Sequence, residues 1–162
     1  MTRAILATLV LGASLVQVGA LPAIFLNPAA APLLPVALLA AWGTMRSPDE
    51  VWPALLLAPL PLGLASEERL GWFLLAFLPT AALLARQSPP ESLHRLGRVP
   101  LAAALGAVGY FVLLWLAAGE VRALPGAADL ILGSATMTAI AASLLAALLW
   151  PVRLRRAPGL FQ

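Results

Sequence analysis

The residues in this chain that could do chemistry are few and lie far apart. His94 is the only histidine. It falls in the interval from Arg86 to Arg98, the longest polar break in an otherwise apolar sequence. As a metal ligand it has no second histidine and no cysteine to join it, and as a general base it has no nucleophile assigned to it. His94 is therefore read as a solvated or headgroup-facing side chain. Gly133-Ser134 could supply an intramembrane serine nucleophile, but no membrane-embedded base accompanies it, so the pair is read as small-residue packing. The absence of cysteine removes disulfides, thiolate metal sites and cysteine nucleophiles. Clustered carboxylates and a glycine-rich phosphate loop are also missing. A non-enzymatic protein without a cofactor is the expectation.

Composition sets the kind of element that could position any site. The chain of 162 residues is 62% hydrophobic and 10% charged, whereas a soluble domain carries about 25% charged residues. A soluble fold could not hide so much apolar surface. The expected class is all-α: a polytopic membrane protein with one transmembrane helical domain over residues 1–162. The net charge of +3 suits anionic lipid headgroups better than nucleic acid, which would call for a dense basic face. Arg3, Ala4–Gln17 and Val18-Gly19-Ala20 could form a signal peptide with a weak cleavage site. The apolar run continues through Ile24, Phe25 and Leu26, however, and a retained helix is the reading adopted.

Six transmembrane segments are expected. Segment one covers about Ala4 to Phe25, which at 1.5 Å per residue crosses a hydrocarbon core of about 30 Å. Segment two covers about Ala29 to Met45, with Pro32 and Pro35 in its first turns, where a missing N–H costs least. Segment three, Val51 to Ala65, is short and carries Pro53, Pro59 and Pro61, so it is expected to be kinked or broken, with its freed carbonyls covered by neighbours. Segment four follows from Leu70 to Ala85. A re-entrant hairpin of segments three and four would bury Glu67, Glu68 and Arg69, so two full crossings are preferred. Segments five and six cover Val99 to Ala118 and Leu130 to Val152.

Between segments four and five, Ser88-Pro89-Pro90-Glu91 reads as a capping box, Glu91 and Arg95 are spaced i, i+4, and Gly97 is a plausible stop. A short interfacial helix at about 88–97 is expected. With six crossings, every arginine except Arg69 and Arg122 falls on the side of the termini. By the positive-inside rule both termini and the central stretch are then cytoplasmic. Trp42, Trp52, Trp72, Trp115 and Trp150 all fall near segment ends, where an indole N–H reaches the headgroups.

The polar residues left at membrane depth are mild: Gln17 in segment one, and Ser134, Thr136, Thr138 and Ser143 in segment six. Ser134, Thr138, Ala142 and Ala146 form a small-residue stripe, and Ala102, Gly106 and Gly109 give segment five a similar face. Both are read as packing inside the bundle. Pro59-Leu60-Pro61 stands out, because short proline-interrupted helices often mark binding sites in transporters. Its neighbours are Leu, Ala and Gly, so an apolar groove for a partner or lipid is expected.

On these features the chain resembles the MreD family, small polytopic subunits of the bacterial rod-shape machinery. The likeness lies in size, six crossings, cytoplasmic termini and a basic tail, and locally in Leu15-Val16-Gln17, the proline-led second segment ending at Trp42, and Gly63-Leu64-Ala65 followed by Leu70-Gly71. The resemblance implies a non-enzymatic scaffold for cell elongation and peptidoglycan synthesis in the bacterial inner membrane. It would associate with an MreC-type bitopic partner and with RodA and penicillin-binding protein 2, and meet anionic lipids at the cytoplasmic face. Gln17, Pro59, Pro61, Gly63, Gly71 and Trp72 are the candidate partner or groove contacts. The MreD fold is also similar to that of the substrate-binding subunits of energy-coupling-factor vitamin transporters. That gives an alternative function, which would need a polar ligand pocket beneath the outer loops.

Overall fold

The computed structural model describes residues 2–27, 30–66, 70–86, 94–117 and 126–152. Among them the chain is helical. The helices are α1 (Thr2–Gly19), α2 (Leu21–Ile24), α3 (Leu34–Met45), α4 (Trp52–Leu57), α5 (Pro59–Ala65), α6 (Leu70–Ala76), α7 (Leu78–Ala85), α8 (His94–Ala117) and α9 (Ala127–Leu149), with short 3₁₀ turns at Pro48–Glu50 and Trp150–Val152. Thr2–Gly19, Leu96–Ala117 and Ala127–Leu149 are long and apolar enough to cross a membrane.

Three junctions divide helical legs without reversing them. α1 passes into α2 at Ala20 and α4 into α5 at Ala58, where the backbone stays helical at φ −53° and ψ −42°. α6 passes into α7 at Phe77. Each following helix has proline in its first two positions, where the missing N–H is tolerated. α1 covers the Ala58 junction, and the Ser14 hydroxyl donates to the Ala58 carbonyl at 2.9 Å.

α3 lies at the centre. Every residue from Pro35 to Met45 is buried, as expected for a helix apolar on all sides. Its two faces differ in size. Val36, Leu39 and Trp42 join the cluster that includes Leu6 and Val10 of α1, Leu55 of α4 and Leu84 of α7. Ala37, Ala40 and Ala41 pack with Val99, Ala102 and Ala103 of α8 and Ala142 and Ala146 of α9. The alanine face lets these backbones approach closely.

α9 shows the same logic turned outward. Ser134, Thr138, Ala142 and Ala146 are buried, while Leu132, Ile140, Leu144 and Leu148 are exposed. A helix on the surface of a water-soluble protein would bury its large apolar residues instead. Gly106 and Gly109 make the corresponding approach on α8. A β-carbon on Gly106 would stand 2.7 Å from Thr80 Oγ1 and 3.1 Å from Val36 Cγ1. One on Gly109 would stand 2.5 Å from Pro79 Cβ.

The expected interfacial helix at 88–97 falls partly outside the described residues. From His94 onward the backbone belongs to α8, which runs without a stop through Gly97 and Pro100. Pro100 leaves the Leu96 carbonyl without its helical partner, but Leu96 and Gly97 are exposed, so that carbonyl is not sealed inside the protein.

Candidate functional site

The fold gathers its polar groups at the two ends of α3. At the start of α3, Pro35 carries no N–H, and the N–H groups of Leu33 and Leu34 find acceptors on distant helices. Leu34 N–H donates to Gln17 Oε1 at 2.9 Å, and Leu33 N–H donates to Thr138 Oγ1 at 2.9 Å. The Thr138 hydroxyl in turn donates to the Ser134 carbonyl at 2.6 Å. The Ser134 hydroxyl donates to the Ala31 carbonyl at 2.8 Å, so this serine anchors the approach to α3. α1 and α9 together cap a helix that lacks a side-chain cap of its own.

At the other end, Glu50 collects donors. Trp42 Nε1 donates to Glu50 Oε2 at 2.7 Å, Arg46 Nε donates to the same oxygen at 3.0 Å, and the Thr2 hydroxyl reaches Glu50 Oε1 at 3.4 Å. The Arg46 guanidinium also sits 5.4 Å from the Trp42 ring centroid. Burial pushes the Glu50 carboxyl up, but the hydrogen bonds from Arg46 and Trp42, the Arg46 charge and the Thr2 bond outweigh it, and the net shift is downward. The Ser47 side chain accepts from Asp49 N–H at 3.2 Å and starts the 3₁₀ turn that presents Glu50. The sequence expectation for Trp42 was an indole N–H at the headgroups; in the structure that N–H donates to Glu50, in the turn that follows α3. The signal was present, because Trp42, Arg46 and Glu50 are spaced four apart.

Two of the concavities flanking the bundle are lined by described residues. The first is an open groove of 590 Å³ lined by Leu56, Gly71, Trp72, Leu74, Leu75 and Leu78, and almost wholly apolar. The second, of 480 Å³, lies at the Gln17 end between α1, α2, α5, α8 and α9. Gln17, Phe25, Tyr110, Phe111, Leu114 and Ser134 are among its lining residues.

The residues singled out from sequence separate between these places. Gly71 and Trp72 line the open groove, and a β-carbon on Gly71 would meet nothing within 4 Å beyond its chain neighbours and its own helix backbone. Gln17 lines the second cavity and caps α3. Pro59 is buried and Pro61 half-buried in α5. Gly63 is buried where α5 meets α6, and a β-carbon there would lie 2.5 Å from Leu70 Cδ1. His94 opens α8. Among the described residues no group of three His, Cys, Asp or Glu side chains is placed to hold a metal ion.

Comparison with family models, with curated proteins and with solved structures finds no match to this chain.

Proposed function

We propose that this chain is a membrane scaffold subunit of the bacterial cell-elongation machinery, similar to MreD, that works through lateral contact with a single-pass MreC-type partner. In this reading the six legs cross the inner membrane, both termini are cytoplasmic, and the arginine-rich face meets anionic lipids. RodA and penicillin-binding protein 2 are the further partners of the assembly.

The observation that carries the reading is the groove along α4, α6 and α7. Its lining is apolar, and Trp72, Leu74, Leu75 and Leu78 are exposed beside Leu56. Gly71, also exposed, adds no side chain to the lining. An apolar groove lined by a glycine, a tryptophan and leucines suits the side of another transmembrane helix, where packing rather than hydrophobic transfer drives association. The lack of native cysteine makes the test direct. Leu75→Cys should cross-link to single cysteines in the transmembrane helix of a co-expressed MreC-type protein, and Ile140→Cys on the opposite type of surface should not. Equal cross-linking from both positions, or none from Leu75→Cys, would sink the reading. Gly71→Leu should fill the groove and lower co-purification of that partner at least tenfold without changing membrane insertion.

A further inference from the structure

The 480 Å³ cavity at the Gln17 end plays no part in the scaffold reading. Its size lies within the range of small-molecule sites, roughly 300–1,000 Å³. Its walls are mostly apolar, with a few polar groups, which is the usual make-up of such sites.

The aromatic wall is held in place. The Tyr110 ring meets Phe77 edge-on at 5.3 Å and Phe111 at 5.6 Å, with interplanar angles of 74° and 87°. Phe25 and Pro22 contribute to the same cavity. Such a surface favours a flat ring system.

The polar groups are partly committed, and their remaining capacity has a definite sense. Gln17 Oε1 accepts the Leu34 N–H, which leaves the amide nitrogen with two donors. No hydrogen-bond partner for that nitrogen is found among the described residues. The Ser134 hydroxyl gives its proton to Ala31, so toward a ligand it can only accept. No charged side chain lines the cavity among the described residues. A plain hydrocarbon chain would offer the two spare Gln17 donors no acceptor.

We propose that this cavity binds a small, flat aromatic or heteroaromatic molecule bearing a carbonyl or ring-nitrogen acceptor, which receives a hydrogen bond from the Gln17 amide. Gln17 and Ser134 also fix the start of α3, so occupancy of the cavity stabilises the central helix by mass action. The proposal requires no partner protein and stands independently of the scaffold reading.

The full chain in lipid nanodiscs is titrated with 2-naphthamide and with 2-methylnaphthalene, a similar flat body without the acceptor. Binding is read by saturation-transfer NMR against empty nanodiscs. Protein-dependent binding of 2-naphthamide is expected, at least tenfold tighter than that of 2-methylnaphthalene. Leu114→Trp should fill the cavity and weaken both at least tenfold. Gln17→Met should abolish the preference for 2-naphthamide while 2-methylnaphthalene still binds, and Gln17→Glu, which keeps an acceptor for Leu34 N–H and removes the amide donors, should do the same. If Leu114→Trp does not unfold cooperatively, Leu130→Trp on another wall replaces it. Absence of protein-dependent 2-naphthamide binding, equal binding to the cavity-filled chain, or a preference that survives Gln17→Met would each overturn the proposal.

Discussion

Thr80 and Thr138 are both almost fully buried, yet the same substitution should affect them in opposite directions. The Thr138 hydroxyl accepts from Leu33 N–H and donates to the Ser134 carbonyl, so Thr138→Val leaves a buried donor at the start of α3 unpaired. A loss of about 1–3 kcal/mol is expected. The Thr80 hydroxyl has no hydrogen-bond partner among the described residues. Thr80→Val should therefore be neutral or stabilise by up to about 1 kcal/mol. Denaturant unfolding of both variants in one detergent checks the sign. Glu50 gives a pH prediction. Its carboxyl titrates below the ordinary 4.5 in the folded chain, so its contribution is present above that value and fades as pH falls through the lower, folded pKa. Thermal unfolding followed downward from pH 6 should show an acid-side loss that is reduced in Glu50→Gln. At this scale the sequence was readable only in part. Gln17 and Ser134 were visible as polar residues in apolar segments. Their use as anchors for α3 was not, because their partners lie 17 and 103 residues away.

The helices explain which patterns could be read. Large apolar residues point outward from α9 and small ones inward, so the Ser134–Thr138–Ala142–Ala146 stripe is the buried face that its spacing suggested. Positions of the apolar stretches were legible for the same reason: long runs of Leu and Ala leave few alternatives to helix. Helix starts were less so. α8 is already helical at His94, ahead of the expected Val99, because a proline in the early part of a long helix need not end it where the freed carbonyl is not buried. α3 begins at Leu34, after Pro32, where α1 and α9 supply its cap. The glycines of α8 carry the prediction at this level. Gly106→Ala and Gly109→Ala should each destabilise by about 1–3 kcal/mol, since the added methyl meets Thr80, Val36 or Pro79. Gly97→Ala meets nothing within 4 Å and should stabilise by roughly 0.5–1 kcal/mol. Thermal melts of the three variants test the contrast.

For the molecule as a whole, the proposed orientation makes a labelling prediction. Ser47→Cys should react with an impermeant maleimide only after the cytoplasmic side is opened, and Ser66→Cys should react from outside. The reverse pattern would invert the orientation, and with it the face offered to partners. The architecture also dictates an order of events during synthesis. At about 18 Å, α3 needs the approach from Ala30 to Leu33 to complete a crossing of about 30 Å. Its bulky face can settle against α1, α4 and α7 as these emerge, but its alanine face is completed only by α8 and α9. The ribosome has therefore made most of the protein before the middle of the fold can close. A nascent chain paused before Ala127 still lacks α9 and the Thr138 acceptor for Leu33 N–H. Quality-control proteases have their opening in that interval, and chains truncated after Ala117 should be cleared from the membrane faster than full-length protein in a pulse–chase experiment.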